Sequence, residues 1–481
     1  MLITFNFEVH QPHRLNKDIN RRGNSLWEKY VDTKLNKEIF NKVANKCYIP
    51  ANELILELID EYDFKVNYSI TGIFIEQALE FNDYVLDLFK DLVKTGNVEL
   101  IAETYHHSLS SLFESEEEFI EDIEMHKKLY KDIFGFKAKV FRNTELIYNN
   151  RIAKIAKDLG FEAIFTEGIE KILGWRSPNY LYQSPDGMNI LLRNYRLSDD
   201  IGFRFSARDW NQYPLTADKY ATWLASTPGE VINIYMDYET FGEHHWKETG
   251  IFEFLRYLPI EIAKHEHLEV VNVSEVVERL EPRGEIYVHE FSTISWADTE
   301  RDVSAWLGNK MQRISFEKLK DIGVFIKENE NKLKKLGKFD EIYKMYKVLQ
   351  TSDNFYYQCT KGFGDMDVHT YFSHFDSPFD AYANYLNILY DFEYHIKEVL
   401  NKLEINKDID KNSKSKNNQN IIDNQKEKDT QNINEENSVK PDIIIANNDI
   451  EDTESIYNQD KKGDKDKNDK KHDAFGGFII V

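Results

Sequence analysis

The sequence contains only two cysteines in 481 residues, Cys47 and Cys359, and they form no CxxC motif. Two isolated thiols cannot build a disulfide framework, so we expect both to be reduced. No apolar run approaches the roughly 18 residues that a membrane helix needs, and the N-terminus shows no secretory signal pattern. We therefore expect a cytoplasmic protein with no membrane partner.

Positive charge is also scarce. Lysine and arginine together number 61 against 84 aspartates and glutamates, which gives a net charge of −23. An acidic surface repels nucleic acid and anionic lipid, so neither is an expected partner, whereas a neutral substrate is compatible. The phosphate-binding fingerprints GxGxxG and GxxxxGK[ST] are missing, and we expect no cofactor.

Residues 1–280 alternate short apolar runs, rich in β-branched residues, with amphipathic helical segments. Continuous apolar runs suit parallel strands that are buried on both faces. The repeated alternation predicts the α/β class, either as a barrel or as a doubly wound sheet. A Pro-Asp-Gly turn at 185–187 predicts a hairpin before one of the strands. The strand candidates are residues 2–7, 65–70, 98–102, 139–143, 162–166, 190–194, 231–236 and 268–273.

The rest of the chain changes character twice. Residues 281–402 carry long helical patterns at 301–328, 339–350 and 379–400, which predict a helical subdomain packed on the barrel. Residues 403–481 are dominated by Lys, Asn, Asp, Gln and Glu, with Tyr457 the single aromatic residue from 401 to 474. Such a composition buries too little apolar surface to offset chain entropy, so we predict a disordered tail.

Charged side chains gather directly after the predicted strands. The active site of an α/β barrel lies at the C-terminal ends of its strands, so these positions are the place to look for chemistry. A single residue there can be a helix N-cap, but a dense set predicts a functional site. The set comprises Glu8, His10, His13, Glu103, His106, His107, Arg142, Glu145, Glu167, Asp237, Glu239, Glu243, His244 and His245.

Two chemistries fit this set. Two carboxylates on either side of a glycosidic bond can serve as nucleophile and as general acid and base. The six histidines and nearby acids can instead bind Zn²⁺ or another divalent ion, although HExxH is absent. Adjacent histidines on an extended segment point to opposite faces, so each pair offers one ligand. The residues alone leave both chemistries open.

Five stretches of the sequence resemble the conserved segments of glycoside hydrolase family 57, and they occur in the family's order. They are VHQP at 9–12, GNVELI at 96–101, NTELIY at 143–148, MDYETFGEHH at 236–245 and DTERDVSAWLGN at 298–309. The resemblance implies a retaining enzyme that acts on α-glucans. It also implies a distorted (β/α)7-type barrel, with one of the strand candidates left outside it.

The same resemblance implies roles for individual residues. Glu145 matches the catalytic nucleophile and Asp237 the general acid/base, and no metal ligand is implied. Aromatic rings stack on sugar faces, so Trp210 and Trp246 are further candidates for substrate contact. The expected substrate-binding residues are His10, Glu99, Glu239, His245, Asp302 and Trp306.

The two catalytic roles place opposite demands on the carboxyl groups. A nucleophile must be ionised, and Arg142 is a candidate to supply a stabilising charge. An acid must hold its proton, and Glu239 would raise the pKa of Asp237 if the strand continued far enough to place both side chains on one face.

We therefore predict an α-amylase-like retaining glycosidase with α-1,4-glucan as its partner. A 4-α-glucanotransferase that uses the same two steps is the near alternative. A metal-dependent polysaccharide deacetylase or mannosidase is the distant one.

Overall fold

A computed structural model of the chain describes residues 1–18, 23–361 and 373–402. Its strands are short and almost wholly buried, as the continuous apolar runs predict. The strands are β1 Leu2–Val9, β2 Val66–Ile70, β3 Val98–Ile101, β4 Val140–Arg142, β5 Ala163–Glu167, β6 Tyr182–Gln183, β7 Asn189–Arg193, β8 Val231–Asp237 and β9 Glu269–Val270.

Seven of these strands form a nearly closed parallel barrel in the order β3-β2-β1-β8-β7-β5-β4. The ends of this order meet where the Ala102 N–H donates to the Val140 carbonyl at 2.9 Å and the Arg142 N–H donates to the Ala102 carbonyl at 2.8 Å. The barrel is distorted between β7 and β8, whose ladder contains the single register pair Arg193–Asn233. The predicted (β/α)7-type barrel is confirmed.

Strands β6 and β9 lie off the barrel path. β6 pairs antiparallel with β7 around the Pro-Asp-Gly turn, which confirms the predicted hairpin. β9 pairs with the first residues of β1, so the strand candidate at 268–273 is the one that stays outside the barrel.

Helices cover the outside of the barrel and dominate the region after residue 300. Their ranges are α1 Leu26–Tyr30, α2 Thr33–Val43, α3 Ile49–Tyr62, α4 Gly72–Phe81, α5 Asp83–Lys94, α6 Glu117–Phe134, α7 Asn150–Asp158, α8 Glu170–Leu173, α9 Tyr195–Gly202, α10 Ala217–Ser226, α11 Ile251–Ala263, α12 Val273–Arg279, α13 Ser304–Leu307, α14 Lys310–Glu328, α15 Glu330–Lys335, α16 Phe339–Leu349, α17 Asp353–Tyr356 and a helical stretch over 378–402. A π-helical turn, Ala44–Tyr48, joins α2 to α3.

The helical pattern at 301–328 does not form one continuous helix. The chain forms α13 and then, after Gly308, starts α14 with a capping box made by Asn309 and Gln312. A Cβ on Gly308 would meet the Ser304 carbonyl at 2.3 Å, so glycine permits this close approach. The Asn309 side chain accepts a hydrogen bond from the backbone N–H of Gln312, so a new helix begins after Asn309.

The remaining expectations from the sequence meet the structure only in part. Cys47 and Cys359 are not joined by a disulfide, as predicted, and both are buried. Among the helices of the described ranges, none is long and apolar enough to cross a membrane. The predicted tail at 403–481 lies outside the described residues, and the division of the rest near residue 280 stays a prediction.

Candidate active site

The C-terminal ends of the barrel strands bring together side chains from four chain segments. In the register of β1 and β8, Glu8 lies beside Asp237. The segment after β3 supplies Glu103 and His107, and Arg142 ends β4. Parallel strands end on the same edge of a barrel, which is why residues so distant in sequence converge here.

Glu145 sits in a tight turn directly after β4. It forms the middle of the 3-10 turn Thr144–Leu146 with φ 57° and ψ 26°, in the left-handed region. A non-glycine residue costs about 1–3 kcal/mol in such a conformation. The backbone is held there because Trp296 donates its N–H to the Glu145 carbonyl at 3.2 Å. The turn is therefore maintained by contacts from another segment of the chain.

The carboxylate of Glu145 accepts hydrogen bonds on both oxygens. His107 Nε2 lies 3.1 Å and Ser352 Oγ 3.3 Å from Oε1, and Trp296 Nε1 donates to Oε2 at 2.7 Å. Burial alone would raise the pKa of Glu145, but the hydrogen bond and charge of His107 and the nearby Arg142 lower it below its usual value. Glu145 is consequently ionised over most of the pH range.

His107 is the cation that faces Glu145. Its Nδ1 lies 3.3 Å from Glu103 Oε2 and 3.5 Å from Glu8 Oε1. Burial would lower the pKa of His107, yet the hydrogen bonds to Glu103 and Glu145 raise it to about 10. The imidazole is therefore protonated at neutral pH, and both of its N–H groups donate.

Arg142 completes a buried ion network behind His107. Its Nη1 lies 2.9 Å from Glu8 Oε2 and 3.3 Å from Glu103 Oε2. Burial would raise the pKa of Glu103, but the His107 hydrogen bond and the Arg142 charge lower it to about 2. Two cations and three carboxyl groups thus share one cluster shielded from solvent, where each interaction is stronger than in water.

One group of ligating atoms in the described residues has the spacing of a metal site, formed by Glu8, Glu103 and His107 within 4.8 Å of one another. Arg142 already contacts both of these carboxylates, and His107 carries a proton that a metal would have to displace. The carboxyl groups that could bind a metal are therefore already in contact with the protein's own cationic side chains. This arrangement favours the carboxylate chemistry over a metal centre.

Asp237 behaves in the opposite way to Glu145. Burial and the negative charge of Glu145 raise the pKa of Asp237 to about 6. β8 ends at Asp237 and a 3-10 turn follows at Tyr238–Thr240, so the strand does not continue to Glu239 and the condition for a shared face is not met. The negative charge that raises the pKa of Asp237 is that of Glu145, and the sequence did not identify Glu145 in this role.

Glu239 is held inside the barrel wall. The Tyr48 hydroxyl donates to its Oε1, and Gln11 Nε2 donates to the same hydroxyl at 3.0 Å. Burial and the charge of Asp237 raise the pKa of Glu239 to about 8. Glu239 is therefore neutral when Asp237 ionises, and it adds no charge next to the acid at neutral pH.

His10 stacks on His107 with ring centroids 4.0 Å apart. Its Nε2 lies 3.0 Å from Asp353 Oδ2, and its Nδ1 lies 3.1 Å from Thr71 Oγ1. Burial and the charge of His107 lower the pKa of His10, so a neutral ring covers a charged one. His10 is thus part of the same cluster, at its partly exposed rim.

Comparison with known proteins identifies the family. A family model described as glycosyl hydrolase family 57 matches residues 4–289, more than half of the chain. The chain belongs to glycosyl hydrolase family 57. The family inferred from the five sequence segments is confirmed.

Relatives within family 57 differ in how much of their length this chain covers. The chain is 82% identical over all 481 residues to a Methanocaldococcus jannaschii protein named "Putative alpha-amylase". It is 24% identical over 300 residues to an alpha-amylase of Pyrococcus abyssi, of which it covers 43%. The fold matches the crystal structure of a GH57 branching enzyme from Thermococcus kodakaraensis with a TM-score of 0.63 and 14% identity, covering 84% of this chain and 91% of that one.

Four residues expected at the family-57 site make other contacts. Glu99 accepts the Ser274 N–H at 2.9 Å at the start of α12. His245 binds Ser206 Oγ at 2.7 Å and the Gly202 carbonyl at 3.0 Å. Asp302 caps Ser304, and Trp306 is fully buried beside Tyr356. Of the additional tryptophans, Trp210 packs on Trp223 and Trp246 is 44% exposed.

The sequence reading missed Trp296, which donates to Glu145 twice. Its ring lies between the guanidinium groups of Arg142 and Arg193, at 5.2 and 5.5 Å. Arg301 donates to the Trp296 carbonyl and pairs with Glu167 at 3.2 Å. Trp296 stands two residues before the fifth family-57 segment, so its proximity to that segment was the available signal.

Proposed function

We propose that the protein is an α-amylase-like retaining glycosidase that cleaves α-1,4-glucan. The observation that supports this most is a pair of partly buried carboxyls in one electrostatic cluster whose pKa values move apart, with the pKa of Glu145 lowered and that of Asp237 raised to about 6. One ionised and one protonated carboxyl at the same site is the arrangement that double displacement at a sugar needs. The names of the Methanocaldococcus and Pyrococcus relatives support the substrate class.

The proposed reaction has two steps. Asp237 donates its proton to the glycosidic oxygen while a Glu145 oxygen bonds to the anomeric carbon, so the leaving chain departs with a new hydroxyl. Asp237, now ionised, takes a proton from water, whose oxygen bonds to the same carbon and releases Glu145 as a carboxylate. His107 and Trp296 hold Glu145 ionised and oriented throughout, and His10 contacts the sugar at the rim.

The region after residue 280 is proposed to complete this site. Trp296 and Ser352 both donate to the Glu145 carboxylate, and Asp353 orients His10. Glu239 is assigned to the shape and neutrality of the pocket around Asp237. For Glu99, His245 and Trp306 the contacts favour a role in ordering the barrel and its loops.

The test uses Glu145→Gln and Asp237→Asn on maltooligosaccharides. Each substitution should lower kcat by about 10²- to 10⁴-fold or more, because Glu145 forms the covalent bond to the sugar and Asp237 transfers the proton in both steps. Glu118→Gln is the matched control, since Glu118 is buried but binds Tyr346 and Gln350.

With maltosyl fluoride, whose leaving group needs no acid, Asp237→Asn should accumulate a maltosyl ester on Glu145 that mass spectrometry detects. Full activity in either variant contradicts the assignment.

Hydrolysis and transfer are separated by products. Incubation with maltotriose should give mainly glucose and maltose if water is the acceptor. A ladder of longer chains would assign the protein as a 4-α-glucanotransferase with the same two carboxyls. Exhaustive chelation before the assay should leave turnover unchanged, and loss of turnover would support the metal-dependent alternative.

A further inference from the structure

The chain segment 293–296 connects the Glu145 turn to a cavity that Thr293 lines. Ile294 and Tyr148 exchange backbone hydrogen bonds of 2.9 and 3.0 Å, and Trp296 donates its N–H to the Glu145 carbonyl. The Ser295 hydroxyl donates to the Asp302 carbonyl at 2.6 Å. The segment 293–296 therefore cannot shift without disturbing the Glu145 turn.

The cavity at the outer end of this segment, here the outer cavity, has a volume of about 450 Å³. Its charged lining consists of two cations and two anions, and hydroxyl groups from Ser292, Thr293 and Ser304 add to it. The four charged residues are Lys171, Glu290, Asp302 and Arg313. A balanced lining rich in hydrogen-bonding groups suits a neutral, hydroxyl-bearing ligand better than an ion.

Aromatic rings extend from the outer cavity along alternate residues, here the aromatic ribbon Tyr287, His289 and Phe291. Phe291 lines the cavity and is 96% exposed, and Tyr287 is 62% exposed. The rings of His289 and Phe291 stack with centroids 5.0 Å apart, and the Phe291 N–H donates to His289 Nδ1 at 3.2 Å. A phenylalanine fixed in this exposed position presents a preformed apolar face to a ligand.

The chain between Phe291 and Trp296 limits the distance from the outer cavity to Glu145. Five residues span at most about 17 Å. A glucan oligomer bound at Glu145 is long enough to reach Phe291 across that distance. Asp302, expected from the sequence to bind substrate hydroxyls, lines the outer cavity and makes no recorded contact with Glu145 within the described residues.

We propose that the outer cavity and the aromatic ribbon form a second glucan-binding site, which holds a distal part of the α-1,4-glucan chain that reacts at Glu145. The proposal rests on the proposed function, because it takes the same substrate class. It assigns Phe291 as the stacking residue and Asp302 as a hydrogen-bond acceptor for sugar hydroxyls. Long chains therefore gain affinity that short ones do not.

The experiment compares Phe291→Ala with the wild-type enzyme on amylose and on maltotriose. KM for amylose should rise about three- to tenfold, the loss expected for one aromatic contact, while kcat/KM for maltotriose stays within twofold. Phe291→Tyr keeps a ring and should behave like the wild type. Tyr257→Ala, which removes a half-exposed ring on α11, should change neither substrate's constants.

Affinity electrophoresis through a glycogen-containing gel supplies a readout independent of turnover. Glu145→Gln should be retarded, and adding Phe291→Ala should remove part of that retardation. Unchanged amylose kinetics in Phe291→Ala, or equal losses on amylose and maltotriose, would overturn the second site while leaving the proposed function intact. Absence of any glucan cleavage by the wild-type enzyme would instead overturn the proposed function.

Discussion

Glu145 and Asp237 are both partly buried, yet their immediate neighbours give their carboxyls different protonation states. Glu145 receives hydrogen bonds from His107 and Trp296, and these lower its pKa against the effect of burial. Asp237 faces the charge of Glu145, and burial together with that charge raises its pKa to about 6. At the scale of single residues, the contact with His107 decides which of the two carboxyls is ionised and which keeps its proton. The proposed roles of nucleophile and acid follow from that difference.

The pH dependence of kcat/KM should report this division. The proposed reaction requires protonated Asp237, so the wild-type rate should fall as pH rises through about 6. His107→Gln removes the cation that keeps Glu145 ionised, so the acidic limb should move to higher pH. The rate at the optimum should drop roughly 10- to 100-fold, the value of one charge-assisted hydrogen bond. A pH–rate profile on maltoheptaose measures both effects.

His106→Gln is the matched control for this prediction. His106 precedes His107 in the chain but points the other way, with its Nδ1 2.6 Å from Asp122 Oδ1. Its removal should lower stability and leave the position of the acidic limb unchanged. An acidic limb at the same pH in His107→Gln and in the wild-type enzyme would show that His107 does not control the protonation of Glu145.

The sequence identified the two carboxyls better than their partners. NTELIY and MDYETFGEHH located Glu145 and Asp237 because both fall within short recognisable segments. Trp296 lies just outside such a segment, and its contact with Glu145 depends on antiparallel pairing of Tyr148 with Ile294. Pairing between segments nearly 150 residues apart follows from the barrel closing, which local sequence does not encode.

At the scale of elements, the loop after β8 is held against the π-helical turn Ala44–Tyr48. Gly242 lies in this loop with φ 113°, and a Cβ there would meet the Lys46 carbonyl at 1.9 Å. Tyr48, in the same turn, donates to Glu239. The close approach at Gly242 therefore fixes the distance between the turn and the loop that carries Asp237 and Glu239.

Gly242→Ala should consequently be far more damaging than an ordinary glycine substitution in a loop. Backbone strain contributes about 1 kcal/mol, and the clash with backbone should raise the loss of unfolding free energy to about 3 kcal/mol or more. The shifted loop should also lower kcat. Urea unfolding and maltoheptaose turnover, measured on the same preparation, check the two effects.

Gly250→Ala provides the comparison, because Gly250 has φ 85° but nothing lies within 4 Å of its Cβ position. It should lose only the strain component, about 1 kcal/mol, with turnover retained. Equal losses for both variants would mean that the contact with Lys46 contributes nothing to stability.

Elements were easier to predict than their interruptions. The strand candidates appear in the structure because buried parallel strands need continuous apolar runs. The break at Gly308 was not apparent from the sequence, since it depends on one residue's contacts within a continuing helical pattern. β8 ends at Asp237, one residue beyond the strand candidate 231–236. Both interruptions lie in family segments, and the second of them determines which side chains face Asp237.

At the scale of the whole molecule, the two carboxyls should affect stability with opposite signs. The folded-state pKa of Asp237, about 6, exceeds the usual value of 3.8. Folding then retains a proton that the unfolded chain releases, so stability declines as pH rises from about 4 to 6 and stays reduced above that. Asp237→Asn carries no charge at any pH and should be more stable than the wild type at pH 8, by on the order of 2–3 kcal/mol. At pH 4 the two should be nearly equal.

Glu145→Gln should show the reverse behaviour. The lowered pKa of Glu145 means that its ionised form stabilises the fold above the unfolded-state pKa, and this contribution is lost as pH falls through the folded-state value. The variant should therefore be less stable than the wild type at pH 8, and the difference should shrink below pH 4. Guanidinium unfolding of both variants at pH 4 and 8 tests the pair together. Destabilisation by Asp237→Asn at pH 8 would mean that the Asp237 carboxylate is favourably solvated, which contradicts its assignment as the protonated acid.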